Sequence, residues 1–210
     1  VNNDNITIID ILTDVNMERE HKLIGINTIL NSVFPKLHGD KVTFIGSTFT
    51  TYGNTENYLN HCIVLNTCED ISTENTVIES YSSEKQVLLA WQQLIQREDP
   101  DIIIGYNIFG FDYEFMFRRA GENDCVEEFL KLSRNSNEIC ATKDKDSGKY
   151  KIEESNIQIA SGQHDIKFIK MNGRIQIDLY NFFRREENLT SYKLDYVAGV
   201  QVRSTILPYE

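Results

Sequence analysis

Alternation of apolar and polar residues predicts a β meander in the first half of this chain. Between residues 41 and 52, and again between 58 and 65, β-branched and aromatic residues alternate with polar ones. Such alternation is typical of strands that bury one face, and the intervening Gly53-Asn54-Thr55 is a turn sequence. We therefore expect two paired strands in this region.

A helical period begins at residue 83. Ser83 and Gln86 match a capping box, and the apolar residues that follow lie on one helical face: Val87, Leu88, Trp91, Leu94 and Ile95. Asp99-Pro100 ends this pattern. Residues 102 to 104 are continuously apolar, which is typical of a strand covered on both faces. The helix is therefore expected to be the crossover of a βαβ unit.

Weaker patterns occur in three other segments. Residues 1 to 33 have apolar residues at helical spacing and are predicted to be a variable, partly helical insertion. Residues 142 to 174 contain short alternating segments around a polar loop and around Ser161-Gly162, which predicts a β-hairpin insertion. Residues 173 to 179 are predicted to be a strand that enters a helix.

Together these elements predict an α/β domain with a central mixed sheet. Residues 42 to 50 and 101 to 106 are expected to be members of that sheet, and the helix over residues 83 to 98 is expected to pack on it.

The segment from Tyr106 to Asp112, Tyr-Asn-Ile-Phe-Gly-Phe-Asp, joins the buried strand to the next helix. Gly105 and Gly110 are expected to let the backbone turn sharply beside a ligand, and Asp112 falls in the first turn of the helix. A carboxylate there is suited to Mg²⁺, which prefers oxygen ligands. Taken as an isolated residue, Asp112 is more typical of a helix cap.

This segment closely resembles the second exonuclease motif of delta-type family B DNA polymerases, Tyr-Asn-Ile-x-x-Phe-Asp. Residues 39 to 46, residues 173 to 179 and Ser191-Tyr192-Lys193-Leu194 are similar to other segments of that family, in the same order. The resemblance covers residues 34 to 207. The sequence around Phe34-Pro35-Lys36 is most similar to polymerases of large DNA viruses.

The resemblance implies a ribonuclease H-like (DnaQ-like) fold, with residues 34 to 210 forming a partial 3′–5′ exonuclease domain. Such a domain proofreads for a replicative polymerase by hydrolysing the terminal phosphodiester of a single-stranded 3′ primer end, using two Mg²⁺ or Mn²⁺ ions. The family's first motif, Asp-Ile-Glu on a strand, and its third, Tyr-x-x-x-Asp on a helix, do not occur in this chain. Asp10-Ile11-Leu12 and Tyr192-Lys193-Leu194-Asp195 come near these motifs without matching them. We therefore expect the fragment to be inactive by itself.

The resemblance implies that Asp112 is a catalytic metal ligand and that Asn107, Tyr106 and Phe111 contact the substrate. The alternative for Asn107 is a turn residue whose side chain forms a hydrogen bond with its own backbone. The alternative for the two aromatic residues is core packing, which we favour for Phe111.

Asp178 points away from the apolar face of its strand. It either assists the site or caps the helix that begins near Leu179, and capping is the favoured interpretation. The pairs Arg118-Arg119 and Arg184-Arg185 are expected to be solvated helix faces rather than phosphate contacts.

Charge and composition restrict the possible functions. The 210 residues carry a formal net charge of −11 with a pI of about 4.9, which argues against a domain that holds DNA by its own basic face. The expected DNA partner therefore requires a positive channel from other domains of the polymerase. A sliding clamp is a further expected partner.

The cysteines and the hydropathy pattern indicate an intracellular protein. The four cysteines, Cys62, Cys68, Cys125 and Cys140, lack metal-binding spacing and are expected to be reduced thiols. No membrane-spanning apolar run and no secretion signal are recognised, so we expect no membrane partner. The expected location is the nucleus or a viral replication compartment.

Two alternatives remain open. One is a stand-alone 3′–5′ exonuclease of the same superfamily, and the other is a noncatalytic scaffold that keeps the fold for contacts with other domains. The missing motifs are compatible with truncation and with degeneration, so the sequence does not separate these alternatives.

Overall fold

The computed structural model describes residues 6–34, 38–69, 71–159 and 162–206. The chain divides into two compact units, Val1–Asp40 and Lys41–Glu210. The first unit contains α1 (Ile8–Thr13) and α2 (Arg19–Val33), so the helical content predicted for residues 1 to 33 is confirmed. Pro35-Lys36, part of the viral resemblance, and Ser161 of the predicted hairpin turn lie outside the described residues.

The second unit alternates strands and helices. In chain order its elements are β1 (Phe44–Phe49), β2 (Leu59–Leu65), β3 (Thr76–Tyr81), α3 (Glu84–Glu98), β4 (Ile102–Gly105), a π-helical turn (Ile108–Asp112), α4 (Tyr113–Glu122), α5 (Val126–Phe129), β5 (Thr142–Lys143), β6 (Tyr150–Lys151), β7 (Glu153–Ile159), β8 (Gly162–Phe168), β9 (Ile175–Asp178), α6 (Leu179–Glu186) and α7 (Leu194–Ile206). Within the described segments, no helix combines the length and the apolar character needed to cross a membrane.

The larger sheet has the order β1-β2-β3, with β1 antiparallel and β3 parallel to β2. The predicted pairing of β1 with β2 and the mixed character of the sheet are confirmed, whereas β3 was not predicted. β4 pairs in parallel with β9, so that Gly105 lies opposite Asp178. The hairpin predicted between residues 142 and 174 is also confirmed: β7 and β8 pair antiparallel, and β5 and β6 form a smaller pair before them.

The single central sheet predicted from the sequence is not present among the described residues. β1 and β4, which were both expected in it, belong to separate sheets. The physical reason is that a groove separates their facing edges, so no ladder of backbone hydrogen bonds joins them. The two sheets are instead linked through α3, which follows β3 and leads into β4.

Helix α3 forms as its sequence predicts. The Ser83 side chain accepts a hydrogen bond from the Gln86 amide at 3.4 Å, and the helix ends at Glu98, before Asp99 in the left-handed conformation with φ 44°. The capping box is incomplete, because the Gln86 side chain accepts from the Ser83 hydroxyl at 3.0 Å. The buried face of α3 contains the five predicted apolar residues as well as Ala90, and Trp91 stacks on Phe129 with 6.0 Å between ring centroids.

A buried ion pair joins the start of α3 to α4. Glu84 accepts hydrogen bonds from Arg119 Nε at 2.7 Å and Nη2 at 2.5 Å, from the Val42 amide at 2.8 Å and from Asn123 Nδ2 at 3.0 Å. Arg119 also pairs with Glu122. The Glu84 and Arg119 side chains are only 3% and 6% exposed, so removal of one leaves an unpaired buried charge.

Glu84 holds its charge in spite of its burial. Burial by itself would raise the pKa of this carboxyl group. The hydrogen bonds from Arg119, Val42 and Asn123, together with the Arg119 charge, outweigh burial and lower the pKa below its ordinary value of 4.5. Since the folded state lowers this pKa, ionised Glu84 stabilises the fold above pH 4.5, and the stabilisation is lost as the pH falls through the lowered pKa.

We predict that Glu84→Gln lowers the free energy of unfolding at pH 7 by about 3 kcal/mol, because it leaves Arg119 buried with an incomplete set of acceptors. The difference between wild type and variant should shrink as the pH falls below 4.5, since the Glu84 contribution is then lost from the wild type. Urea denaturation monitored by circular dichroism at several pH values measures both effects.

Glu122→Gln is the matched control, because Glu122 binds the same arginine with a side chain that is 31% exposed. Its cost should be below about 1 kcal/mol. Equal losses for the two variants would show that the Glu84 pair does not join α3 to α4 in the way described.

Candidate functional site

The segment after β4 turns sharply before α4 begins. Asn107 lies in the left-handed region with φ 63°, a conformation that asparagine tolerates better than most residues. Its carbonyl oxygen accepts hydrogen bonds from the amides of Gly110 at 3.0 Å and Phe111 at 2.9 Å. Asn107 is therefore a turn residue, but its backbone carbonyl makes these bonds, whereas the alternative assigned them to its side chain. Asn107 precedes the π-helical turn that ends at Asp112.

The two glycines of this segment are needed for close packing rather than for unusual torsions. A Cβ atom added to Gly110 would lie 2.2 Å from Oδ1 of Asn107, and one added to Gly105 would lie 2.3 Å from Cγ2 of Ile108. Neither glycine has a positive φ. The sequence correctly indicated a tight turn here, but the neighbours that require the glycines belong to the same turn.

Asp178 is buried, 4% exposed, at the end of β9. Its Oδ1 accepts hydrogen bonds from the Asn107 amide at 2.8 Å and the Tyr180 amide at 3.0 Å. Its Oδ2 accepts from the Phe109 amide at 3.0 Å and from Asn181 Nδ2 at 3.1 Å. The predicted cap of the following helix is thus observed in α6, and Asp178 also holds the backbone of the segment after β4.

Asp112 is half-buried at the junction between the π-helical turn and α4, and its side chain makes no capping hydrogen bond. The cap interpretation is therefore wrong. Burial raises the pKa of this carboxyl group and the negative charge of Asp178 raises it further, while a hydrogen bond with its own backbone acts in the opposite direction. A half-buried carboxylate with these properties is suited to binding a cation.

Tyr106 packs with its ring edge against Tyr180, 5.7 Å between centroids, and its hydroxyl donates to the carbonyl oxygen of Tyr192 at 2.6 Å. Burial, followed by the charges of Tyr180 and Asp178, raises the pKa of Tyr106. This contact ties the segment after β4 to the Ser191-Tyr192-Lys193-Leu194 sequence. Tyr106 therefore has a structural role whether or not its ring also contacts substrate.

The core packing favoured for Phe111 from the sequence is wrong. Its side chain is 56% exposed and stacks on Phe115, with 5.3 Å between centroids and 13° between ring planes. Phe111 follows the anchored part of the turn, and this directs its ring into the groove between β1 and β4.

That groove encloses a cavity of about 620 Å³. Its walls are β1 with the residues just before it, β4, and side chains from α3, the π-helical turn and α4; Phe111, Asp112 and Tyr113 all line it. Tyr113 is 2% exposed, and its hydroxyl has no hydrogen-bond partner within the described part of the chain. Burial raises the pKa of Tyr113, with additional contributions from Asp112 and Asp178.

The basic pairs behave differently from one another. Arg118 is exposed and pairs with Glu114, as expected for a solvated helix face. Arg119 is buried, so that expectation was wrong for it; an internal acid partner was not visible in the local sequence. Arg184 lies over the Tyr180 ring at 5.2 Å, and Arg185 pairs with Glu186.

The β7–β8 hairpin rests against the same site. Lys167 Nζ lies 2.8 Å from Glu114 Oε1, and the Phe168 ring lies 5.7 Å from that of Phe109. Glu114, two residues after Asp112, thus forms ion pairs with Lys167 and Arg118. These pairs occupy its carboxylate, so Glu114 is not available to bind a cation beside Asp112. Sequence reasoning identified the hairpin but not these contacts with the segment after β4.

The described residues alone do not form a complete metal centre. No group of three or more His, Cys, Asp or Glu side chains that could hold a metal ion occurs among residues 6–34, 38–69, 71–159 and 162–206. The site therefore presents one available carboxylate, Asp112, beside a second, Asp178, whose oxygens already accept four hydrogen bonds.

Comparison with known proteins identifies the family of this chain. Residues 22–197 match the model of the DNA polymerase family B exonuclease domain. The chain is 40% identical over 206 residues to the DNA polymerase of Phaeocystis pouchetii virus, covering 95% of this chain and 20% of that protein. It is 38% identical over 174 residues to the DNA polymerase of Pyramimonas orientalis virus, covering 83% and 14% respectively. It is 32% identical over 166 residues to the DNA polymerase delta catalytic subunit of Arabidopsis thaliana, covering 79% and 14%.

The match includes every element that builds the site, from β1 to α6, while the chain spans a fifth or less of the length of these relatives. On the extent of the family match and the identity to viral and delta-type polymerases, the chain belongs to the family B DNA polymerase exonuclease domains.

Proposed function

We propose that this chain is the 3′–5′ proofreading exonuclease domain of a replicative DNA polymerase, where it removes misincorporated nucleotides from a single-stranded 3′ primer end. Asp112 carries the proposal. It is a half-buried carboxylate that caps no helix, it lies after the carboxyl end of β4, and its pKa is raised as expected for a ligand without its cation.

Asp112 would hold a divalent ion, Mg²⁺ or Mn²⁺, because such ions prefer carboxylate oxygens. Two bound ions supply charge that activates a water molecule and stabilises the departing 3′ oxygen. Asp178 is not proposed as a second ligand, since its hydrogen bonds would have to break first. The described residues fit one side of such a centre, and the remaining carboxylates would come from other parts of the polymerase.

We propose further that an additional strand of the intact polymerase occupies the groove and completes a ribonuclease H-like sheet. The amide of Ile175 donates to the carbonyl of Asp101 at 2.8 Å, which sets the ladder between β9 and β4. Since ladder bonds of a parallel strand alternate in direction, the backbone groups of Ile102 and Ile104 face the opposite edge, towards the groove. A strand there would have partners on both sides.

Two further observations and one geometric consequence support an inserted strand. Phe44, at the start of β1, is 66% exposed and lines the groove together with the exposed Ile102 and Ile104, so the groove has an apolar surface open to solvent. The Tyr113 hydroxyl is buried in the groove without a partner among the described residues. Finally, a strand beside β4 would carry its own side chains past Asp112, where the family's first motif would supply carboxylates.

The substrate contacts are also proposals. The exposed Phe111 ring, stacked on Phe115, offers a face for an unpaired base beside Asp112, and such stacking contributes about 1–3 kcal/mol per base. Asn107 would contact the primer strand through its side-chain amide. Tyr106 would contribute only its ring, because its hydroxyl is committed to Tyr192.

Polymerase relatives favour a domain of a larger enzyme over a stand-alone exonuclease. The proposed partners are therefore DNA, the other polymerase domains and a sliding clamp, in the nucleus or a viral replication compartment. A noncatalytic scaffold would keep the same fold. Primer digestion by the intact enzyme, with and without Asp112, distinguishes a scaffold from an exonuclease domain.

The isolated chain should bind Mg²⁺ with a dissociation constant above about 1 mM, because one available carboxylate is a poor site for a hard cation. It should also degrade single-stranded DNA little or not at all. Titration calorimetry and a gel assay measure these properties. Strong metal-dependent digestion that is abolished by Asp112→Ala would mean that this chain assembles a complete centre by itself.

In the intact polymerase, Asp112→Ala should lower the rate of mismatched-primer digestion by at least about 100-fold, because charge stabilisation in the transition state is lost. Primer extension should be nearly unchanged. The free energy of unfolding should change by less than about 1 kcal/mol, since Asp112 caps no helix. Digestion and nucleotide incorporation are measured on the same preparations.

Asp146→Ala is the matched control for this variant, because Asp146 is an exposed carboxylate in the polar loop between β5 and β6. Primer digestion and nucleotide incorporation by Asp146→Ala should both equal those of the wild type. Persistent digestion in Asp112→Ala would show that Asp112 is not a catalytic ligand, and absence of digestion by the wild-type enzyme would favour the scaffold alternative. A parallel fall of both activities with the melting temperature would indicate a structural role for Asp112.

The inserted strand is tested by hydrogen exchange resolved to single residues. The amides of Ile102 and Ile104 should exchange at least about tenfold more slowly in the intact polymerase than in this chain, because the inserted strand would accept their hydrogen bonds. The Ile103 amide, which faces β9, should be protected in both proteins. Unchanged exchange at Ile102 and Ile104 would show that the groove stays open.

A further inference from the structure

The Asp178 carboxylate divides its hydrogen bonds evenly between two elements. Each of its oxygens accepts one amide of the segment after β4, from Asn107 or Phe109, and one donor of α6, from Tyr180 or Asn181. Only an ionised carboxylate can accept from both pairs, because an amide side chain in its place would direct an N–H group at another N–H group. The role of Asp178 therefore exceeds that of a helix cap, for which one oxygen is sufficient.

The backbone that Asp178 holds is in an uncommon conformation. Asn107 is left-handed with φ 63°, and residues Ile108–Asp112 form a π-helical turn, a rare conformation that is frequently found at functional sites. Such a conformation persists only where its surroundings impose it. The amides of Asn107 and Phe109 are bound by Asp178, and the Tyr113 amide closes the turn on the Ile108 carbonyl.

These bonds connect Asp178 directly to the position of Asp112. Asp112 is the last residue of the π-helical turn, three residues after Phe109. Asn107, the proposed primer contact, is anchored through its own amide. The strand register also places Asp178 beside this turn, because Asp178 lies opposite Gly105, the last residue of β4.

We propose that Asp178 is a positioning residue of the exonuclease site: it holds the Asn107–Asp112 turn in the shape that places Asp112 and Asn107, and it does not bind the metal ion. This inference rests on the function proposed above. Without the hydrogen bonds from the amides of Asn107 and Phe109 to Asp178, called the loop bonds below, the turn would sample other conformations. The Asp112 carboxylate would then lose its fixed position.

Asp178→Ser separates this role from helix capping. Serine is a good N-cap and can still accept from the Tyr180 amide, but its single short oxygen cannot also accept from Asn107 and Phe109. In this chain, the amides of Asn107 and Phe109 should exchange at least about tenfold faster in the variant, whereas amides in the middle of α3 should be unchanged. This measurement involves neither metal nor DNA.

Asn181→Ala is the matched control, because it removes one α6 donor from Asp178 and leaves both loop bonds in place. Its loop amides should exchange as in the wild type. If Asp178→Ser does not fold, the isosteric Asp178→Asn variant provides the same comparison, with at least one of the two loop amides released.

The same variants in the intact polymerase test the consequence for catalysis. Asp178→Ser should lower the kcat for primer digestion by about 10–100-fold and raise the Mg²⁺ concentration for half-maximal rate, as expected when support for a metal ligand is lost. The KM for the primer end should stay within about twofold, and primer extension should be unchanged. Asn181→Ala should keep most of the digestion rate.

Unchanged loop exchange in Asp178→Ser would overturn the proposal, as would faster exchange with undiminished digestion. Equal losses of digestion in Asp178→Ser and Asn181→Ala would also overturn it, because capping of α6 would then explain both. A failure of the proposed function has a different signature: Asp112→Ala would digest primer normally, while the exchange difference at Asn107 and Phe109 would remain.

Discussion

Buried carboxylates impose the main physical constraint on this domain, because an ionised oxygen removed from water must accept hydrogen bonds or bind a cation. Asp178 meets this requirement with donors from the segment after β4 and from α6, and Glu84 meets it mainly with Arg119 and the amide of Val42. Each therefore joins elements that are distant in sequence. Within the described part of the chain, Asp112 is half-buried without comparable donors, and burial raises its pKa. These properties support the proposal that it binds a cation.

The β4–β9 sheet depends on a buried charged side chain at each of its two ends. A sheet of two four-residue strands has little stability of its own. Arg174, buried just before β9, donates to the carbonyl oxygens of Leu132 and Pro100 and to the carboxylate of Asp99. Asp178 closes the other end. The candidate site thus rests on a small sheet that charged groups hold in place, with one edge facing the groove.

Internal ion pairing also explains how an acidic chain relates to a nucleic-acid function. Arg119 and Arg174 are buried against carboxylates, and Arg134 pairs with Asp99 and Asp101, so these cations are not available to phosphates. With a net charge of −11, this chain offers carboxylates for cations rather than a basic face for DNA. This distribution supports the proposal that neighbouring parts of a polymerase hold the substrate.

The sequence by itself determined the local elements: the period of apolar residues and the Ser83 cap defined α3, alternation defined β1, β2 and the hairpin, and the motif from Tyr106 to Asp112 identified the family. These features depend on residues close together in the chain. Tertiary structure decided what depends on distant partners. The burial of Arg119, the exposure of Phe111 and the bonds that Asp178 accepts from the amides of Asn107 and Phe109 are examples, because each is set by groups 35 or more positions away or by a groove between two sheets. The separation of β1 from β4 has the same origin, since strand pairing across a sheet is a long-range choice that local patterns do not encode.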